Sequence, residues 1–432
     1  MPNITKNSTR VGKNAFHGVE NVAGFQIGAL LLCHLVFVGW VIPFKEMSST
    51  MNVSQITRRS LLAGAGAVSV TAFLAACSGT SKTVVWDNWP YYMDGESDGS
   101  FPTLKAFQKK TGITVKYTTK VDDNNTYFAS IKNQLESGKD TGADTFCLTD
   151  WMATRLIVAG QVQKLDYKKL PNVTANLDPA FKDTFGSFDP GRQYSLPWKG
   201  IIAAIGYHKA NYKKVTGKDA PTTLADLWAP ELKGKIEVLS EMRDTLGIFM
   251  LADGVDITNF TKADFTKALD TFKGLVNSGH IRGVKGNSYI EDYISGDAIA
   301  GIVWAGDLVA TNLENGNEDL GYVLLDSGST FATDNFLIPK GAKNAAYANE
   351  LINYYFDPQV IAESTMGGVF YVPPVLGVKE IVAKTNPTLA NNELIFPSAE
   401  TYATKLHHFR SLTPAEDDEF TQLWSDASNG VV

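Results

Sequence analysis

From Val84 onward, short apolar strands alternate with amphipathic helices, and few folds accommodate that alternation. Val84-Val85-Trp86 reads as a strand that ends in Asp87-Asn88-Trp89-Pro90-Tyr91-Tyr92. Phe101 to Thr111 follows as a helix with Leu104 and Phe107 on one face, and Gly112 supplies its C-terminal stop. Ile113 to Tyr117 alternates as a half-buried strand. Tyr127 to Glu136 is helical by Phe128, Ile131 and Leu135, and Asp144 to Leu148 is a further strand. Asp150 then opens another helix, as its N-cap. Such an order predicts a mostly parallel sheet covered on both faces. At 432 residues, two lobes are expected rather than one core.

Further on, Tyr194-Ser195-Leu196-Pro197-Trp198 leads into Ile201 to Tyr207, a continuous apolar run suited to a buried strand and to a first crossing between lobes. Lys199 beside it reads as a solvated surface lysine; near a cleft it would repel a cation or pair with a spare acid. Thr223 to Trp228 is a short helix, and Gly234 to Leu239 a strand. Thr261 to Val276 is the clearest amphipathic helix, with Phe265, Leu269, Phe272 and Val276 as its stripe and Thr261 with Asp264 as a capping box. Ala298 to Trp304 and Asp334 to Ile338 are two more strands, and Ala345 to Phe356 is a helix.

Ahead of this body, Thr57-Arg58-Arg59-Ser60-Leu61-Leu62 opens the apolar run Ala63 to Ala76. The run ends in Leu74-Ala75-Ala76-Cys77, which resembles the lipobox of bacterial lipoproteins. Two arginines, a short apolar core and a small-residue cleavage site predict a twin-arginine lipoprotein signal over 51–76, lipidation at Cys77 and a tether over 77–82. Gly24 to Phe44 is long enough to span a bilayer. Because Met51 begins a complete signal of its own, residues 1–50 read as an upstream artefact of the assigned start, with an extra membrane helix as the other reading.

Residues 1–76 hold six basic and two acidic side chains, so the formal charge of −7 for the chain leaves −11 for the exported body. That acidity argues against nucleic acid and leaves cationic ligands open. Of three cysteines only Cys147 falls in the body, in Thr145-Phe146-Cys147-Leu148, where a small buried hydrophobe is expected and no disulfide framework is possible. The body has four histidines and no HExxH, GxSxG, CxxC or Gly-rich phosphate loop, so neither metal nor cofactor nor enzymatic activity is expected.

The positive signal is a set of aromatic-plus-acid stops at strand ends: Trp89 and Tyr92, Trp151, Glu241 and Asp244, then Trp304 and Asp307. Ligands of an open parallel sheet sit beyond the carboxyl ends of its strands. Taken one at a time, such aromatics are more often core and such acids more often helix caps; their recurrence is what points to a cleft.

Asn88-Trp89-Pro90-Tyr91-Tyr92, Tyr194-Ser195-Leu196-Pro197, Leu224-Ala225-Asp226-Leu227-Trp228, Trp304-Ala305-Gly306-Asp307 and Val369-Phe370-Tyr371 follow one another in the order and spacing of a known family. From Val84 to the C-terminus the body resembles the spermidine/putrescine-binding proteins of bacterial ABC importers. That resemblance implies an α/β, two-lobed periplasmic-binding-protein-like (type II) fold with parallel or mixed sheets and a hinge. It implies a first lobe from 83–203 plus 334–432, and a second from 204–333. It places Trp89 and Tyr92 on the first loop, Trp151 on an aromatic wall, and Glu241 with Asp244 as an acidic pair for one amine. Trp304 and Asp307 match the family's Trp-x-x-Asp, Asp334 its later acid, and Tyr371 a tyrosine on the far side. Ala332 departs from the pattern, where relatives often carry a large aromatic. The implied role is a monomeric lipoprotein of the cell envelope that captures putrescine or spermidine and hands it to an ABC permease. A binder of another organic cation, such as a quaternary amine or basic amino acid, is one alternative; a secreted glycoside hydrolase with a carboxylate pair is another.

Overall fold

The computed structural model describes residues 82–95 and 98–429. The export signal, Cys77 and residues 1–50 lie outside the described residues, so the readings made there stay expectations. Strands β1 (Thr83–Asp87), β2 (Thr114–Thr118), β3 (Thr145–Thr149), β4 (Ser195–His208) and β5 (Ile236–Leu239) are followed by β6 (Ile281–Lys285), β7 (Ala300–Trp304), β8 (Leu320–Val323), β9 (Ser329–Leu337) and β10 (Leu406–His407). They form one sheet in the order β2-β1-β3-β9-β4-β7-β5-β6, with β8 beside β4 and β10 beside β9.

The sheet is not mostly parallel. β2-β1-β3 pair parallel on one flank and β7-β5-β6 on the other, as strand–helix alternation requires. Between them β9 and β4 run antiparallel to each other, β9 antiparallel to β3, and β4 antiparallel to β7. Both long central strands are therefore shared by the two flanks. β4 is the predicted crossing, extended to fourteen residues of which thirteen are buried. Its pairing with β9 slips between Pro197 and Lys199, where proline cannot donate to the ladder. The N-terminal part of β9 and all of β6 escaped the sequence reading: Ser329-Thr330-Phe331-Ala332-Thr333 and Ile281-Arg282-Gly283-Val284-Lys285 show little alternation.

Helices cover the sheet as their stripes dictate. The Lys262–Asn277 helix buries Phe265, Ala268, Leu269 and Phe272, leaves Val276 half-buried, and starts from the Thr261–Asp264 capping box. The C-terminal helix, Pro414–Ser428, lays Phe420 flat on Phe265 (centroids 3.9 Å apart) and Trp424 on Phe272. This last described helix thus rests on an element of the span 204–333 and reaches the first flank through Asp417, which pairs with Arg155. The Asp150–Val158 helix has Thr149, not Asp150, at its N-cap, and the Asp150 carboxylate accepts from the Thr333 amide of β9 instead. Cys147 is buried, and burial raises its thiol well above the usual range.

Lys199 is 0% exposed, which corrects its reading as a surface lysine. Its Nζ has no hydrogen-bond partner among the described residues and lies 4.7 Å from the Trp198 ring centre. Burial lowers it to about 7, opposed by the charge of Asp94. The unfolded chain holds a proton there that the folded chain releases between pH 7 and 10.5, so this lysine opposes folding most below pH 7 and least near pH 10.5. Lys199→Met is expected to stabilise the fold by about 1–4 kcal/mol at pH 7. Thermal unfolding across pH should show that gain shrinking toward pH 10; a constant or negative difference would overturn the reading.

Candidate ligand-binding site

Three loops leave the carboxyl ends of the parallel strands β1, β5 and β7 and meet beside the central pair. After β1, Pro90 and a left-handed Tyr91 (φ 58°) turn the chain so that Trp89 and Tyr92 both face inward. Trp89 is fixed by its Nε1–H, which donates to the Cys147 carbonyl of β3 (3.0 Å). After β5, Glu241 caps the Met242–Ala252 helix and Asp244 lies in its first turn. After β7, Trp304 caps the Ala305–Asn315 helix and Asp307 sits in its first turn. Asp334 comes from the middle of β9, beside Thr149 of β3 in the pairing register.

Trp89, Tyr92, Glu241, Asp244, Trp304, Asp334 and Tyr371 line one small cavity of about 20 Å³. Thr149, Ile201, Asn287 and Ala332 complete its wall. Its rings form two pairs: Trp89 meets Trp304 edge-on at 6.0 Å, and Tyr92 meets Tyr371 edge-on at 4.5 Å. Asp334 is 1% exposed and accepts from Tyr92 Oη (2.6 Å) and Thr149 Oγ1 (2.8 Å). Asp244 accepts from Trp304 Nε1 (2.9 Å) and Thr330 Oγ1 (2.6 Å). Glu241 accepts from Trp151 Nε1 (3.0 Å) and Asn124 Nδ2 (3.4 Å). These donors are neutral and three of them orient rings, two being indoles, while Glu241 also meets the Arg243 guanidinium at 3.5 Å.

Two expected site residues lie elsewhere. Asp307 is fully buried behind the cavity, where Tyr371, Tyr289 and Asn287 donate to it. It positions Tyr371 and Asn287 rather than lining the wall. A Cβ on Gly306 would come within 2.7 Å of the Phe370 carbonyl oxygen and 3.0 Å of the Tyr371 ring, so only glycine lets that ring close on the helix start. Trp151 lines a neighbouring chamber, and the Arg243 guanidinium covers its ring at 3.9 Å. Sequence reasoning missed Asn124, Thr149 and Asn287, small polar residues with no pattern of their own, and Arg243, which is flanked by the acids it balances.

Burial dominates the electrostatics. It pushes Glu241 and Asp334 up to about 7 and Asp307 up to about 6, and it raises Asp244. Arg243 opposes the rise at Glu241, while Asp150 and Asp244 add to it at Asp334. Several carboxylates crowded out of water around aromatic faces favour a positively charged guest. Among the described residues no cluster of three histidines, cysteines or acids has the spacing of a metal site.

Residues 103–396 match the family model of bacterial extracellular solute-binding proteins. This chain belongs to that family. Its relatives include the spermidine/putrescine-binding periplasmic protein of Escherichia coli K12, 28% identical over 345 residues that cover 80% of this chain and 91% of the relative. The putrescine-binding periplasmic protein PotF of the same organism is 30% identical over 374 residues, covering 83% and 96%. Among solved structures, a putative spermidine/putrescine ABC transporter protein from Listeria monocytogenes aligns at a TM-score of 0.67 and 25% identity, over 81% of this chain and 99% of that one. The solute-binding protein therefore has the two-lobed fold of these neighbours, with its cavity between the parallel flanks.

Proposed function

We propose that this solute-binding protein captures a polyamine, putrescine or spermidine, and delivers it to an ABC permease. The observation that carries the proposal is one cavity lined by Glu241, Asp244 and Asp334 together with Trp89, Tyr92, Trp304 and Tyr371. A polyamine carries ammonium groups separated by methylenes. Carboxylates accept charge-assisted hydrogen bonds from its ends, about 1.5–3 kcal/mol each, and aromatic faces cover the methylenes with about 0.5–2 kcal/mol of cation–π attraction. The curated relatives named for spermidine and putrescine support the same cargo. The lobes are divided near 203/204 and 333/334, where β4 and β9 carry the hinge, and the Pro414–Ser428 helix crosses back to rest on the second lobe. Anchoring through a lipid on Cys77, a monomeric state and a binding role without catalysis complete the proposal, and they rest on the sequence and on the family.

Calorimetry with putrescine, spermidine, arginine and choline is the test. Binding of a polyamine with arginine and choline silent is expected. Preference for choline or arginine would replace the cargo with another organic cation.

A further inference from the structure

Beside the cavity lies a larger chamber of about 310 Å³ that shares four lining residues with it: Thr149, Glu241, Asp244 and Ala332. Ala332 is the partition. It is the only residue of β9 that is not buried, and its side chain is a single methyl. Beyond it Trp151, Phe188, Phe331, Phe409 and Leu412 form an apolar wall, edged by charged side chains. The chamber is of a size that holds a ring or a short acyl chain.

Beyond the shared border its acids and arginines are equal in number, Asp150, Asp417 and Asp418 against Arg155, Arg243 and Arg410, unlike the purely acidic cavity. Asp417 faces the chamber but already receives two guanidiniums, Arg155 Nη2 and Arg243 Nη2, each at 2.5 Å. Arg410 is engaged by Glu416 at 2.6 Å. Arg243 also occupies the face of Trp151, whose indole N–H reaches the shared Glu241, so that ring is not free for a cation. Asp150 accepts from the Thr333 amide, so a carbonyl oxygen entering here finds guanidinium donors beside partnered acids, and an apolar tail finds aromatic walls.

Resting on the polyamine reading above, we infer that the chamber takes the acyl group of a mono-N-acylated polyamine. The charged amines stay among Glu241, Asp244 and Asp334, and the amide and its tail pass over Ala332.

The test is calorimetry on the purified protein with putrescine, spermidine, N1-acetylspermidine and N1-benzoylspermidine. The benzoyl compound is expected to bind at least tenfold more tightly than the acetyl compound. Leu412→Trp, which fills the chamber from its far side, should erase that difference and leave putrescine affinity within threefold. Ala332→Trp, which blocks the passage, should erase it too and guards against misfolding of the first variant. If putrescine binds but benzoylspermidine is no tighter than acetylspermidine, or spermidine is tighter than both, the chamber proposal is overturned and the polyamine reading survives. If no amine binds, both are overturned.

Discussion

Asp334→Asn is expected to weaken polyamine binding by about 30- to 4,000-fold, the 2–5 kcal/mol lost when one partner of a buried hydrogen-bonded charge pair is neutralised. The residue is the most secluded acid on the cavity wall, and Tyr92 and Thr149 already point their hydroxyls at it. The amide keeps the shape and removes the charge. Stability should move the other way. A carboxylate whose burial raises it to about 7 costs folding energy when ionised at pH 8, so the variant without ligand should melt at or above the parent's temperature. Lower affinity with an undiminished melting temperature separates loss of a binding charge from loss of structure. Unchanged affinity removes Asp334 from the site.

The second large effect is on pH. Glu241 and Asp334 both titrate near 7, and an ammonium ligand requires their ionised forms. Affinity should therefore fall as pH drops from 8 to 5, by about tenfold per pH unit for each carboxylate being protonated. The protein without ligand follows the opposite trend from these groups. Their folded values lie above the ordinary 3.8 and 4.5, so their contribution to stability is greatest below about pH 4 and is lost as pH rises through 7. Ligand and protons compete for the same oxygens. A saturating polyamine should accordingly raise the melting temperature strongly at pH 8 and hardly at pH 5. An affinity flat across that range would show that these acids do not meet the cation.

The sequence made some of this legible and hid the rest, for physical reasons. Trp89, Tyr92, Glu241, Asp244 and Trp304 were readable because each follows a strand whose end is marked by a turn or a cap, and parallel strands place such ends together. Asp334 was reached only through family resemblance. It sits inside an antiparallel strand whose first half looks polar, so neither periodicity nor position marks it. Asp307 had the same local signature as Asp244, yet its neighbours Tyr289 and Tyr371 enclose it, and packing by distant segments is invisible in a local pattern. Lys199 was misplaced by the usual rule that unpaired lysines are exposed; a strand buried on both faces overrides it. The seating of the C-terminal helix on Phe265 depends on a long-range contact between two ordinary amphipathic stripes, each of which would accept other partners.

The two long central strands have a mechanical consequence. β4 and β9 pass unbroken between the flanks and carry Ile201, Ala332 and Asp334 of the cavity wall, while Trp89, Tyr92, Glu241, Asp244 and Trp304 reach the same cavity from the two flanks. A second tie between the flanks lies farther out, where Arg155 on the helix after β3 reaches Asp417 on the helix resting against the opposite flank. The cavity and the outer ion pair therefore bridge the same two flanks at different distances from the central strands, so a change at Asp417 alters how the flanks are tied without touching the cavity wall.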